Sequence, residues 1–329
     1  MKKQGLAMLL IALLMLTGPL AAVTEAAEQP FAKWLEDLQA EARERGISSA
    51  TLDAALTGIE PIPRVIELDR QQPEFTLTFE EYRQRVVPQS RIDMGRRLLA
   101  EHRELLEEIG REFRVQPRFI VALWGIETDF GRITGGFPVI NALATLAHDG
   151  RRSSYFRSEL LNALQILDEG HISPDAMKGS WAGAMGQSQF MPSSFLNFAV
   201  DYDGDGRRDI WHTRADVFAS AANYLAKSGW RDDQTWGRRV TLPANFDRSL
   251  AGLDTRKRIG QWQELGIRRP DGSALPGRQL PASIIIPDQE NHPDMAFMVY
   301  ENFRTTLKWN RSNYFALAVG LLSDAIAEQ

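Results

Sequence analysis

The segment PRFIVALWGIETDF, from Pro117 to Phe130, is apolar almost without interruption until Glu127. A helix that is hydrophobic nearly all round belongs inside a fold, so the rest of the chain has to cover this stretch. Pro117 suits a first helical turn, where its missing N–H costs nothing, and Gly131 is the expected stop. Glu127 is then a carboxylate at the end of a buried run. Taking a carboxylate out of water disfavours its charged form and raises its pKa. The competing reading is a Glu that simply turns to solvent at a helix end.

A carboxylic acid that keeps its proton at neutral pH can protonate a glycosidic oxygen. Asp129 is the nearest second carboxylate, but residues two apart on a helix do not share a face. A paired-carboxylate glycosidase would need an acid from elsewhere, and none stands out near the other motifs. The pattern points to chemistry that manages with one carboxylate.

The 329 residues carry a formal net charge of −5 and no long basic tract, so nucleic acid is not an expected partner. There is no cysteine, hence no disulfide, no thiolate nucleophile and no attachment point for a lipoprotein lipid anchor. Lys2 and Lys3 precede GLAMLLIALLML and then AAVTEAA. This reads as a secretory signal peptide over residues 1–26, with an apolar part too short for a comfortable membrane span, and predicts a periplasmic protein. The alternative is an uncleaved anchor.

The remainder reads as α+β and predominantly helical. FAKWLEDLQAEARERG puts Phe31, Trp34, Leu35 and Leu38 on one face and stops at Gly46; Ser49 is the expected cap of a short helix that Gly58 ends. A PIP stretch and an extended segment over 71–78 follow. Ser90 is expected to start one long amphipathic helix carrying Met94, Leu98, Leu99, Leu105, Leu106 and Ile109. Further helices fit 139–148, 153–169, 192–200, 214–228 and 311–327. Between about 232 and 300 the pattern changes: RRVTLP, PASIIIP and MAFMVY read as short strands among Pro and Gly turns, with a helical piece, TRKRIGQWQELG, between them. This is a small β-containing insertion, or irregular loops on a helical domain.

A second motif, GSWAGAMGQSQFMPSSF, has so little side chain between Gly179 and Gly186 that backbone or substrate can approach closely. Ser180, Gln187, Gln189 and Ser193 offer hydrogen-bonding groups suited to sugar hydroxyls and acetamides, and Trp181 and Phe190 offer flat apolar faces. Read blandly, it is a tight turn packed between helices.

ETDFGR followed by SWAGAMGQSQFMPSS resembles the lytic murein transglycosylase B family, and DGRRSSYF, DYDGDGRRDIW, ASAANYL and WNRSNYFALAV extend the resemblance to the end of the chain. It implies a lysozyme-like catalytic core over 116–231, extra helices over 27–115, the β insertion over 232–300, and a C-terminal motif and helix over 301–329. It also implies cleavage of peptidoglycan glycan strands between N-acetylmuramic acid and N-acetylglucosamine, without water as the final nucleophile. Glu127 would first protonate the leaving oxygen, with the muramic acetamide stabilising the anomeric carbon. It would then deprotonate the sugar's own 6-hydroxyl, which attacks and leaves a 1,6-anhydro end; a nucleophile within the substrate has the proximity advantage already.

By matching position, the resemblance assigns Ser180, Gln189 and Phe190 to the cleft beside the acid, with Tyr82 and Tyr224 as further cleft tyrosines. It assigns Arg151, Arg152 and Tyr155 to glycan or stem-peptide contact. Two adjacent arginines suit the lactyl or peptide carboxylates, although on residue type alone they read as a solvated pair. Asn310 matches a polar residue of the C-terminal motif. Trp309 and Phe315 stand where that motif usually has tyrosines; Trp309 can still stack on a sugar, and Tyr314 lies beside the second position. Other cell-wall enzymes are candidate partners, and no organic cofactor is implied.

DYDGDGRRDIWHTRAD places Asp201, Asp203 and Asp205 at alternate positions before Gly206, as in the first half of an EF-hand loop. Arg207 would add its backbone carbonyl. His212 stands at the twelfth position, where Glu would be normal, so Asp216 is the next suitable acid and requires the lengthened calcium loop that the resembled family has. The alternative is an acidic turn with Asp216 capping the next helix. Two other functions stay open: a hydrolytic muramidase and a non-catalytic peptidoglycan-binding scaffold.

Overall fold

A computed structural model describes residues 29–71 and 77–328. The expected signal peptide lies outside the described residues, as does most of the segment expected to be extended over 71–78. No described helix is long and apolar enough to cross a membrane.

The first three helices, α1 (Phe31–Glu44), α2 (Ser49–Leu56) and α3 (Pro63–Gln71), pack on elements far along the chain. Leu38, Leu52 and Val65 join a core with residues of α8 (Val139–His148), α9 (Ser153–Asp168) and α10 (Pro192–Phe198), among them Leu143, Leu160 and Phe195. The cap of α2 is Ser48, one residue earlier than expected. Its hydroxyl oxygen accepts the Thr51 N–H, and its O–H donates to Asp168 at the end of α9. That second bond explains the choice, since it ties α2 to its partner helix.

A second core surrounds α7 (Pro117–Thr128). Residues 119–125 and Thr128 are all buried, as the apolar run requires. Around it stand α4 (Phe79–Val86), α5 (Gln89–Glu101), α6 (Arg103–Phe113), α11 (Arg214–Lys227) and α14 (Asn313–Ala327). The single long helix expected from Ser90 is in fact α5 and α6, broken at His102. The break lets both halves turn an apolar side to α7, and the His102 ring packs on Trp124 and Phe218. The end of α7 comes before Gly131: Asp129, Phe130 and Gly131 all have left-handed φ, of 52°, 61° and 82°. This sharp reversal folds the Phe130 ring back beneath Gly125, where a Cβ would meet it at 2.7 Å.

The β unit is a four-stranded antiparallel sheet in the order β3-β6-β5-β4, besides a two-residue ribbon of β1 (Phe137–Pro138) with β2 (Lys178–Gly179). Strands β3 (Gly237–Val240), β5 (Pro281–Ile285) and β6 (Ala296–Val299) are the three expected from sequence. TRKR, expected to be helical, is instead the end of β4 (Gly252–Arg258); the helix α12 (Ile259–Glu264) begins after it. The period of 2 is clear in β5 and β6. Ile284 and Met298 face a local core with Trp262, while Ile285, Phe297 and Val299 face the core of α7. The sheet therefore joins the helices through one whole face. Sequence reading did not separate the helix α13 (Glu301–Trp309), which follows at once.

Gly320 on α14 shows how tightly this junction closes, since a Cβ there would lie 2.1 Å from Trp236 Cδ2. In a helix interior Gly→Ala ordinarily gains about 1 kcal/mol, whereas overpacking a core costs about 1–3 kcal/mol. Trp236 is buried and its Nε1 is anchored on Asp324, so it cannot move aside cheaply. Gly320→Ala is expected to lower the urea midpoint of unfolding, and an equal or higher midpoint would contradict this packing.

Candidate active site

Glu127 occupies the last turn of α7, half-buried. Trp309, the last residue of α13, donates its indole N–H to Glu127 Oε1 at 2.7 Å. Burial pushes the Glu127 carboxyl up to about 7, against the Trp309 hydrogen bond, which favours the charged form. Among the described residues no charged side chain contributes to this shift. A cavity beside the carboxyl, lined by Leu123, Gln187, Ser188, Phe218 and Trp309, holds about 10 Å³, room for one water at most. Asp129 is withdrawn from any paired role, because it caps α7 in a left-handed conformation and pairs with Arg91 and Arg132.

Trp309 stands in a cluster of aromatic rings. Its centroid lies 4.6 Å from that of Tyr224 and 5.2 Å from that of Phe190, and Phe198 packs on Tyr224 at 4.4 Å. The Tyr224 hydroxyl donates to the Lys308 carbonyl at 2.6 Å and so fixes the end of α13 on α11. The structure thus brings Glu127, Phe190, Tyr224 and Trp309 together. The bond from Trp309 to the acid had no sequence signal, since its partners are 182 residues apart.

The small-residue loop closes on itself. Ser180 Oγ accepts the N–H groups of Ala182 and Ala184, and Gly179 sits so near Ala184 that a Cβ would meet its carbonyl oxygen at 2.1 Å. Gln189, at φ 48°, donates from Nε2 to the carbonyls of Thr134 and Gly186. Gln187 and Ser193, read from sequence as sugar-facing, have structural partners. Gln187 is buried, with its oxygen taking N–H groups from Trp124 and Arg214 and its nitrogen donating to the Trp211 carbonyl. Ser193 is bound through N–H and hydroxyl to the buried carboxylate of Glu159, which sequence reading missed.

Arg151 and Arg152 clamp a second missed acid, Asp69 at the end of α3, which is 1% exposed while both arginines remain about half exposed. Together they outweigh its charge, and burial of Asp69 is overcome by the two guanidiniums, which hold its carboxyl below the usual range. Tyr155 is exposed nearby with its ring edge-on to Phe156. Tyr82 on α4 packs against Tyr314, whose hydroxyl reaches the Pro287 carbonyl, and Phe315 is buried. Exposed Asn310 caps its own turn by accepting the Ser312 N–H.

One oxygen from each of Asp201, Asp203 and Asp205 lies within 4.8 Å of the others, close enough to share a cation. Asp201 also accepts N–H groups from Gly204, Asp205 and Gly206, and Arg207 N–H goes to Asp205, so the turn is already wound. Asp216 is fully buried at the start of α11 and takes the N–H groups of Tyr202 and Asp209, both at 2.7 Å, one from each side of the loop. It stands outside the three-acid cluster and closes the loop at its base.

The transglycosylase SLT domain model matches residues 30–324. Membrane-bound lytic murein transglycosylase B of Escherichia coli (strain K12) is 31% identical over 259 residues, 75% of this chain and 66% of its own, so the chain spans about two thirds of that relative's length. SltB3 from Pseudomonas aeruginosa, solved in complex with NAG-anhNAM-pentapeptide, superposes with a TM-score of 0.87 at 44% identity, covering 91% of this chain and 80% of that one. SLT35 of Escherichia coli, solved in complex with calcium, gives a TM-score of 0.76 at 29% identity, covering 91% and 93%. The motif resemblance, the helical fold with its small sheet and these matches agree: the chain belongs to the transglycosylase SLT domain family.

Proposed function

We propose that this protein is a lytic transglycosylase that cuts the β-1,4 bond between N-acetylmuramic acid and N-acetylglucosamine and leaves 1,6-anhydromuramic ends. The observation that carries the reading is a single carboxyl, Glu127, pushed up to about 7 with no charged neighbour contributing. The proton on Glu127 goes to the leaving glycosidic oxygen as the bond to the anomeric carbon breaks. The muramic acetamide stabilises that carbon, so no second carboxylate is needed. The resulting carboxylate takes the proton of the 6-hydroxyl as its oxygen bonds to the anomeric carbon, and the acid is restored. The relative bound to NAG-anhNAM-pentapeptide supports a product of this kind. Ser180, Gln189, Phe190 and Tyr224 shape the cleft around the acid, Tyr82 and Asn310 extend it, and Arg151, Arg152 and Tyr155 meet the stem peptide or lactyl group. Such a substrate places the enzyme in the periplasm, exported through its apolar N-terminal segment.

Digesting purified peptidoglycan in heavy-oxygen water tests the reaction. Products are expected to carry anhydro ends and no solvent oxygen; heavy oxygen in most new reducing ends would mean hydrolysis and sink the reading. Glu127→Gln keeps the shape and the Trp309 bond but cannot donate, and is expected to lose about 10²–10⁴-fold in turnover.

The raised pKa also has a stability consequence. Between 4.5 and about 7 the unfolded chain gives up the Glu127 proton and the folded chain keeps it, so rising pH favours the unfolded state across that window. Glu127→Gln removes the penalty. Its melting temperature is expected to match the wild type below pH 4.5 and to exceed it above pH 7. A constant difference across that range would mean the carboxyl is not held as described.

Asp201, Asp203 and Asp205, with the Arg207 carbonyl, fit a calcium ion, a hard cation that takes oxygen ligands. Asp216 joins them only through electron pairs its two N–H bonds leave over. The relative solved with calcium supports the assignment. The ion's contribution is to fix the turn ahead of α11; it takes no part in the cleavage. Calcium added to stripped protein is expected to raise the melting temperature, since binding to the folded state alone stabilises it by mass action. Asp201→Ala with Asp203→Ala should abolish the increment, and identical curves with calcium and chelator would exclude the site.

A further inference from the structure

We propose that Trp309 is a positioning residue that assigns the two oxygens of Glu127: its indole N–H holds Oε1 as a permanent acceptor, and Oε2 alone carries the catalytic proton. The proposal rests on the reading of Glu127 as acid and base.

An indole nitrogen only donates. The group 2.7 Å from it must therefore accept in both protonation states of the carboxyl, and a protonated oxygen accepts poorly. The proton is thereby excluded from Oε1, and among the described residues no side chain holds Oε2. A phenol at this position could rotate its O–H and act either way, so it would leave the two oxygens equivalent. The indole itself is not free to move. Its ring packs on both Phe190 and Tyr224, it touches both helical cores, and the residue before it is tied by its carbonyl to Tyr224 and by its Nζ to the Ser228 carbonyl.

The charged groups on neighbouring elements are engaged elsewhere. Arg91 and Arg132 pair with Asp129, Arg214 lies over the Trp124 ring with a bond to Gln187, and Lys308 is bound as above. Trp309 is then the one directional influence on the carboxyl among the described residues. In the cycle, Oε2 delivers its proton to the leaving oxygen, Trp309 stabilises the carboxylate that results, and the same Oε2 collects the proton of the 6-hydroxyl. One oxygen thus works twice without rotation of the side chain.

The test removes the donor and keeps the ring. Trp309→Phe is one variant; the other replaces Trp309 by 3-benzothienylalanine, in which sulfur takes the place of N–H at nearly unchanged shape, so folding is preserved. The carboxyl band of Glu127, isolated by infrared difference against Glu127→Gln, is titrated in each protein. Both variants are expected to titrate about one pH unit higher than wild type, a tenfold change in proton affinity. The alkaline limb of kcat/KM should move with it, kcat should fall and KM should barely change. An unmoved titration in the benzothienyl variant, or a loss confined to KM, would reduce Trp309 to packing and overturn the proposal. The infrared reading does not depend on the product, so hydrolysis in heavy-oxygen water would end the transglycosylase reading and leave this one to be judged by itself.

Discussion

The side-chain amide of Gln187 is buried where α7, α11 and the small-residue loop converge, and it makes three bonds there: Trp124 and Arg214 donate to its oxygen, and its nitrogen donates to the Trp211 carbonyl. Its backbone joins in, with N–H to the Ile210 carbonyl and its own carbonyl accepting the Thr128 hydroxyl. Each buried polar group left without a partner costs about 1–3 kcal/mol, so these bonds stand or fall together. They set the end of α7, which carries Glu127, against the loop that carries Gln189 and Phe190. Gly131 must be a glycine for the same reason, since a Cβ there would lie 2.2 Å from the Gln187 oxygen. The cleft is in this sense built outward from one amide.

Against that rigid corner, the acid is held in an environment that does not suit its charge. Burial raises its proton affinity and the Trp309 bond restrains the rise, so the carboxyl stays near the middle of the pH scale, where it can both give and take. A drier pocket without a donor would make a poor base, and a wetter one a poor acid. The rings of Phe190 and Tyr224 pack on the indole, and Phe198 packs on Tyr224, so the donor is held in place.

Much of this was legible in the chain because local signals and tertiary needs coincide. The apolar run from Pro117 gives α7, and 139–148 gives α8 to the residue, since its apolar positions are also its buried ones. Where a boundary depends on a distant partner, the sequence is silent. Ser48 caps α2 because Asp168 is there to receive it, and α5 parts from α6 because α7 must be embraced on two sides. TRKR was misread because its alternation is of half-buried and exposed polar residues, which carry no hydrophobic period. In the site, residue types were readable and pairings were not. Nothing near Arg151 and Arg152 announces Asp69, 82 residues away, and nothing distinguishes Gln187, turned inward, from Gln189 two positions on.

The order in which the site's parts are made follows from the long reach of the Trp309 bond. A ribosome releases the chain from the N-terminus, and Glu127 emerges 182 residues before the indole that holds it. A nascent chain that has got as far as α11 owns the acid, the loop and Tyr224, yet neither the ring that closes the aromatic cluster nor α14, which packs along α7. The seat of Glu127 is thereby completed last: its carboxyl gains the indole N–H only once α13 and α14, which follow the sheet, have docked.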